Sequence, residues 1–411
     1  MNALEYQQVL GRKVAEGRRR HGLSQPELAA LLNRPVAWVS QLERGAAPID
    51  CPETLRTVAD ALELPLTELA AGGPLAVSPA SRPGGDSARA QAEGLRVLLA
   101  GVHSLGAMLG DQDTPSFGWL RARTDRACTL ARANRYGELT ELLAGLLPGL
   151  EAAARIFPPA GQAEIYELLA VAYQSCSAAL AGLGETVGAW IAADRAMAAA
   201  ERAGNLLLVA AGAHRLASVF LSAGRHALAE ETARTTMVAL QGLADLGDPD
   251  AVALCGGLAL LRAVVAARAG RQDAAHGQLT RARQLARRLG AQRAGGAPEF
   301  GPEYVALYEI AVSVDLGDAG HALRVAAAAD TAGLSPARQA RMLVDIARAF
   351  TLREQGEEAV CALLRAESVS AAYVHDSERA AQLVRDLLEL CDPAPPELIR
   401  LAARLAPAQD S

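Results

Sequence analysis

Val36, Ala37, Ser40, Gln41 and Arg44 fall on one side of a short helical pattern whose other side carries Val39 and Leu42. An amide, a hydroxyl, a guanidinium and small apolar groups offer hydrogen-bonding and methyl-contact chemistry. The segment that must position them reads as two helices joined by a tight turn. Ser24 is an N-cap, and Glu27 three residues later completes a capping box. Leu28, Leu31 and Leu32 then fall at i, i+3 and i+4 and are expected to form a buried face. Asn33 suits the left-handed stop of that helix, and Pro35 has its φ set for the start of the next. Cap, stop and restart in this order predict a DNA-binding helix-turn-helix rather than a plain amphipathic pair.

The flanks extend the pattern. Val9, Leu10 and Val14 mark a first helix that carries the basic run Arg18-Arg19-Arg20-His21 and ends at Gly22. Leu55, Val58, Ala59 and Leu62 mark a fourth helix; Leu64, Pro65, Leu66 and Leu69 mark a fifth turn. Leu23-Ser24-Gln25, Glu27-Leu28-Ala29, Leu42-Glu43-Arg44-Gly45 and the Leu-Pro-Leu-x-Glu-Leu segment at 64–69 agree in register, and over residues 8–70 the chain resembles the Xre/phage-repressor family. That resemblance implies a five-helix domain whose second helix of the pair lies in the major groove, with Val36, Ala37 and Gln41 as base readers and Gln25 as a brace. Gln41 would make a bidentate contact to adenine, and Val36 or Ala37 would pack on a thymine methyl. Arg34, Ser40 and Arg44 would be phosphate contacts, which position without specifying sequence. Arg34 at a turn position usually small or apolar, and Val36 in place of a commonly polar reader, depart from the family pattern and leave the bases open. Trp38 stays open between a nucleic-acid contact and packing on its own domain.

Charge is a smaller signal. The chain is formally −6, which excludes a general nucleic-acid coat, yet residues 1–45 hold seven Arg or Lys against four Glu. A local excess of +3 on a negative protein suits a specific binder that relies on fit and pairing. Hydrophobic residues make up 51% and aromatics 4%, a balance dominated by Ala and Leu that points to helices throughout an all-α chain. The six cysteines (51, 128, 176, 255, 361, 391) lack metal-ligand or redox spacing and are expected to be thiols in a reducing cytoplasm. The start of the chain lacks an apolar signal region, and the longest uncharged stretch, Leu168 to Gly184, contains Tyr, Gln and Ser and reads as a buried helix rather than a membrane span. Cytoplasmic location and no membrane partner are expected.

Residues 1–71 are assigned to the DNA-binding head. Gly72-Gly73-Pro74, Ser78-Pro79 and Ser81-Arg82-Pro83-Gly84-Gly85 mark residues 72–87 as a flexible linker. A connecting segment, helical from about Ala88 to Leu109, fills 88–118, and Trp119 opens a repetitive helical region running to about 405. There, turn glycines precede alanine-rich helices at Gly137, Gly184, Gly224, Gly270, Gly317 and Gly356, spaced 39 to 47 residues apart. Each interval holds two helical patterns, the signature of stacked hairpins in an α-solenoid. The region resembles tetratricopeptide-like repeats, with a period longer than the usual ~34 residues. Phe300-Gly301-Pro302-Glu303-Tyr304-Val305, Val314-Asp315-Leu316-Gly317-Asp318-Ala319 and Leu343-Val344-Asp345-Ile346-Ala347-Arg348-Ala349 resemble a group of actinobacterial regulators that join an Xre-type head to such a solenoid. The layout also resembles the RRNPP peptide-pheromone receptors. Those receptors commonly hold peptide with an Asn ladder, whereas this solenoid contains only Asn134 and Asn205.

A stack of hairpins presents a concave surface lined by the first helix of each. Tyr166, Tyr173, Gln174, His214, Arg215, Arg262, Phe300, Glu303, Tyr304 and Tyr308 are the polar or aromatic candidates there for an effector, against core packing or solvation for each singly. No phosphate-loop, nucleophile-elbow or zinc-protease motif occurs, and the seven histidines are dispersed, so no enzyme, metal or cofactor is expected. The sequence therefore predicts a homodimeric regulator that binds a double-stranded, inverted-repeat operator and senses a small molecule or peptide. The alternative is a protein-interaction scaffold delivered to DNA by its head.

Overall fold

The computed structural model describes residues 3–32, 34–45, 57–58, 61–62, 85–100, 115–290, 300–331, 333–391 and 393–405, and among them shows nineteen helices and no strand. The chain divides into two units, Met1–Ser81 and Arg82–Ser411.

The first unit contains α1 (Ala3–Arg20), α2 (Gln25–Leu31) and α3 (Val36–Glu43). The capping box is formed: the Ser24 amide donates to Glu27 Oε2 at 2.7 Å, and the Glu27 amide donates to Ser24 Oγ at 3.4 Å. The Arg34 amide reaches back to the Ala29 carbonyl at 2.9 Å and turns the chain toward α3. Leu10, Val14, Leu28, Ala29, Leu32, Val39 and Leu42 share one core, joined by Val58 and Leu62. One expectation fails: Leu31 is 60% exposed, and Ala29 takes its place in the core. The stripe of so short a helix is 28, 29 and 32, one position from the expected reading. Asn33, Leu55, Ala59 and the 64–69 segment of the expected five-helix domain lie outside the described residues.

The second unit opens with α4 (Gly85–Leu99) and continues as antiparallel hairpins: α5 (Phe117–Arg132) with α6 (Tyr136–Ile156), α7 (Pro159–Gly182) with α8 (Thr186–Ala203), α9 (Leu206–Ser222) with α10 (His226–Asp245), and α11 (Pro249–Arg268) with α12 (Gln272–Leu289). Then follow α13 (Pro302–Asp315) with α14 (Ala319–Ala328), α15 (Pro336–Leu352) with α16 (Gly356–Val369), and finally α17 (Ala371–Asp376), α18 (Glu378–Leu390) and α19 (Pro396–Leu405). Each first helix packs on its own partner and also on the next first helix, from α5 through α7, α9, α11, α13 and α15 to α18. First helices pack closely while second helices splay, which curves the stack with the first helices inside. One of them, α11, is long and apolar enough to cross a membrane, but 83% of its apolar window is buried in the stack.

The corners inside the hairpins share one geometry. Gly184, Gly224, Gly270 and Gly317 take left-handed φ of 70° to 83°, two residues before the next helix. At the first and sixth hairpins the left-handed residues are instead Asn134 (φ 56°) and Glu354 (φ 60°). Gly137 and Gly356, expected to be turn glycines, lie inside α6 and at the start of α16.

The expected linker is also shortened. Residues 85–87 belong to α4, which starts before Ala88, and residues 101–114 of the expected connecting segment lie outside the description. Ser116 caps α5 from Phe117, two residues ahead of the expected opening at Trp119. The helix α4 belongs to the solenoid itself. It packs on α6, α7 and α8, filling the splay between two second helices, and its Leu95 and Leu99 are buried in the same core as Leu143 and Ala196. Small residues allow the approach: a Cβ on Gly94 would stand 3.3 Å from the Thr140 methyl, and one on Gly137 would stand 3.2 Å from Gln91.

Candidate functional site

In the head, α3 is held from behind so that its first turn faces out. Val36 and Ala37 are exposed, Ser40 and Gln41 are half-buried, and Val39 and Leu42 anchor the opposite side. At its far end Glu43 joins all three helices. Arg18 of α1 meets it with two nitrogens, Nε to Oε1 and Nη2 to Oε2 at 3.0 Å, and Gln25 Nε2 of α2 donates to Oε2 at 2.8 Å. Arg18 Nη1 also donates to the Leu23 carbonyl at 2.7 Å. The ion pair is largely buried, with side-chain exposures of 12% and 7%. Burial pushes the Glu43 carboxyl up, but the hydrogen bonds from Arg18 and Gln25, with the nearby arginine charges, outweigh it and hold the carboxyl below its ordinary value.

A second device was not legible as a motif. Gly11 of α1 lies against the backbone end of α3, where a Cβ would stand 2.5 Å from the Leu42 carbonyl oxygen and 2.7 Å from that of Glu43. Only glycine lets the two helices approach this closely.

The other expected DNA contacts divide. Gln25 is tied to Glu43, so its bracing acts inside the domain through its amide nitrogen. Arg34 lies over the Trp38 ring at 5.3 Å, and Trp38 packs beside the head's core. Arg44 is exposed at the end of α3, with Nε on the Ser40 carbonyl at 3.3 Å.

In the solenoid, several effector candidates prove structural. Tyr173 is 4% exposed and its hydroxyl donates to Glu151; burial first, then Glu151, raises its pKa. Phe300 is fully buried against Gly256 of α11, where any Cβ would collide with its ring. Arg262 is held by Glu230 of α10, Nη2 to Oε1 at 2.7 Å, and Gln174 Nε2 donates to the Leu208 carbonyl at 3.2 Å. Tyr166 packs beside the first core with Arg202 over its ring at 5.6 Å. These side chains join neighbouring helices.

Four other candidates gather around the inner surface of α9, α11 and α13. His214 lies over Gly257, where a Cβ would stand 3.1 Å from its Nε2. Burial, with the Arg215 charge, pushes His214 down to about 4, so it is neutral near pH 7. Burial also lowers Arg215, opposed only in part by the neighbouring phenols of Tyr304, Tyr136 and Tyr308. Tyr304 and Tyr308 touch through their hydroxyls at 3.3 Å, with ring centroids 5.0 Å apart. Glu303, half-buried in the first turn of α13, makes no hydrogen bond or ion pair with the described residues.

Sequence reasoning missed two further arginines. Arg338 and Arg341 of α15 lie over Tyr304 at 4.6 Å and Tyr308 at 4.7 Å. Their i, i+3 spacing just ahead of the Leu343–Ala349 motif was the available signal. That motif has a structural part to play: Arg348 bonds Asp345 at 2.9 Å and Asp315 of α13 at 3.0 Å, and Arg268 of α11 lies 3.6 Å from Asp315. Three consecutive first helices are thereby joined. Burial pushes the Asp345 carboxyl up despite these partners.

Residues 9–72 match the family model described as a helix-turn-helix domain. No curated protein matches the chain. Among solved structures, Bacillus thuringiensis PlcR in complex with the peptide PapR7 and DNA aligns at 12% identity with a TM-score of 0.32, covering 89% of this chain and 99% of that one. The chain thus joins an N-terminal helix-turn-helix domain to a C-terminal domain of stacked helical hairpins.

Proposed function

We propose that this protein is a sequence-specific transcriptional regulator of the Xre type, which binds an inverted-repeat operator as a homodimer and changes its DNA affinity when an effector fills the inner surface of the solenoid. The observation that carries the reading is the mounting of α3: Glu43, Arg18 and Gly11 fix its inner side, while Val36 and Ala37 stand exposed on its first turn. A helix held rigidly by its core, with its N-terminal side chains free, is the element that a major groove accepts. Gln41, Val36 and Ala37 read bases; Arg34, Ser40 and Arg44 contact phosphates, Arg44 by leaving the Ser40 carbonyl.

One head covers too few base pairs for selectivity, and paired heads address half-sites one helical turn apart, ~34–36 Å. Exposed apolar side chains on second helices, Val187, Trp190 and Ile191 of α8 and Leu228 and Val238 of α10, support a protein contact on the solenoid's outer side. The test selects operators from a random duplex pool with full-length protein. Gln41→Ala then weakens the selected site by ~1–3 kcal/mol and relaxes one base pair per half-site. Arg44→Ala weakens all sequences about equally and flattens the salt dependence. An unchanged preferred sequence and affinity in Gln41→Ala removes α3 as the reading helix, and a monomer that gives a single asymmetric footprint removes the dimer.

A further inference from the structure

The first helices α9 and α15 bring arginines to one part of the inner surface, where α13 contributes the Tyr304 and Tyr308 phenols. Arg215 makes no hydrogen bond or ion pair with the described residues, and only phenols appear among the neighbouring groups that raise its pKa. Arg338 and Arg341 stack on Tyr304 and Tyr308. For Arg341, stacking uses the face of the guanidinium and leaves N–H groups at its edge for an acceptor. Three acids of α13 and α15 are engaged elsewhere: Asp345 and Asp315 by Arg348, and Glu309 by Arg283 and by His321 at 2.8 Å.

Beside Arg215, His214 packs against α11. Gly257 has no side chain, and the neutral His214 ring lies over its backbone. The half-buried Arg215 guanidinium, the stacked Arg341 guanidinium and two phenol hydroxyls form a donor set for a compact oxyanion carried on an apolar or aromatic body.

We propose that Arg215, Arg341 and the Tyr304–Tyr308 pair form a binding site for the carboxylate or phosphate end of a small organic ligand. The proposal deepens the effector-sensing part of the function above, and its test contains no DNA, so the two readings fail separately. Burial lowers the cost of exchanging water for such an anion, because these groups are already partly desolvated. A bidentate carboxylate or a phosphate would supply Arg215 with the acceptor that the fold withholds.

The experiment titrates full-length protein with benzoate and with phenyl phosphate at constant ionic strength, with phenol as the neutral control, and reads binding by calorimetry. Titration runs into the millimolar range, where ligands of this size with ordinary efficiency bind. Saturable binding of at least one anion and none of phenol is expected; the preferred anion identifies the carboxylate or the phosphate source. Arg215→Gln, which breaks no ion pair, should keep the wild-type helical signal and unfolding transition and weaken the anion roughly 10- to 100-fold, with a similar loss in Arg341→Gln. Absence of binding by both anions, or wild-type affinity in Arg215→Gln, overturns the site.

Discussion

Glu43→Ala isolates the device that mounts the reading helix. The substitution removes the acceptor of two Arg18 nitrogens and of Gln25 Nε2, and leaves Arg18, 12% exposed, with only the Leu23 carbonyl among these bonds. Stranding one member of a buried pair costs about 3–5 kcal/mol, whereas a domain of this length has a total stability of about 4–12 kcal/mol. The head should therefore lose between about a quarter and all of its margin while the solenoid, a separate unit, keeps its own.

Hydrogen exchange on the full-length protein checks this directly. Amides in α1 to α3 should lose protection by roughly 10²- to 10⁴-fold, and amides in α11 should not change. Gln25→Ala, which removes one charge-assisted bond, should cost about 1.5–3 kcal/mol. The folded Glu43 carboxyl is depressed, so its contribution is complete above the ordinary 4.5 and is lost as pH falls through the lower folded value. Glu43→Gln should flatten that acid limb. Protection within about threefold of wild type in Glu43→Ala would refute the argument, because a buried pair worth so little cannot be what holds α3.

Gly11→Ala drives a methyl into two backbone carbonyls that have no side-chain freedom, and should displace α3 or destabilise the head by about 1–3 kcal/mol; a wild-type melting curve and DNA affinity would show that the close approach is not needed. His214, pushed down to about 4 from an ordinary 6.5, contributes stability that is complete above 6.5 and is lost as pH falls toward and through about 4, at most about 3 kcal/mol. Urea unfolding between pH 7 and 4 should fall less steeply in His214→Gln, and parallel curves would show that the ring is not desolvated. Leu95→Ala should destabilise the solenoid by about 2–5 kcal/mol as a core truncation, whereas a helix outside the core would lose under about 0.5 kcal/mol.

Local rules placed the head because its signals are local. Ser24 and Glu27 cap α2 as their spacing requires, and the leucines recur at the helical period, with Leu31 the one misplaced side chain. Close approaches are different in kind. Nothing within ten residues of Gly11 announces that α3 ends against it, because the partner carbonyls belong to residues 42 and 43. The corner register shows the same limit. Four corners use glycine for a positive φ, but Asn134 and Glu354 take that conformation too, so a search for glycine slides to Gly137 and Gly356. The backbone geometry repeats where the residue type does not.

The inner surface was harder to read, for a reason built into the stack. A first helix is covered by its own partner and by two neighbouring first helices, so most of its circumference is core. Helical spacing then gives aromatic residues the same pattern whether they fill that core or line the remaining strip. Tyr173 and Phe300 fall in the core, while Tyr304 and Tyr308 lie at the edge of it, and all four belong to first helices or the turn before one. The partner chemistry separates them. Tyr173 meets an acid of its own hairpin stack, and Phe300 meets a glycine cut to its shape. Tyr304 and Tyr308 meet each other and two arginines from the next hairpin, which stack on their rings. An accumulation of like charge across several helices has a cost that a fold retains only where something outside the chain offsets it, and the place to look for an effector is where that cost collects.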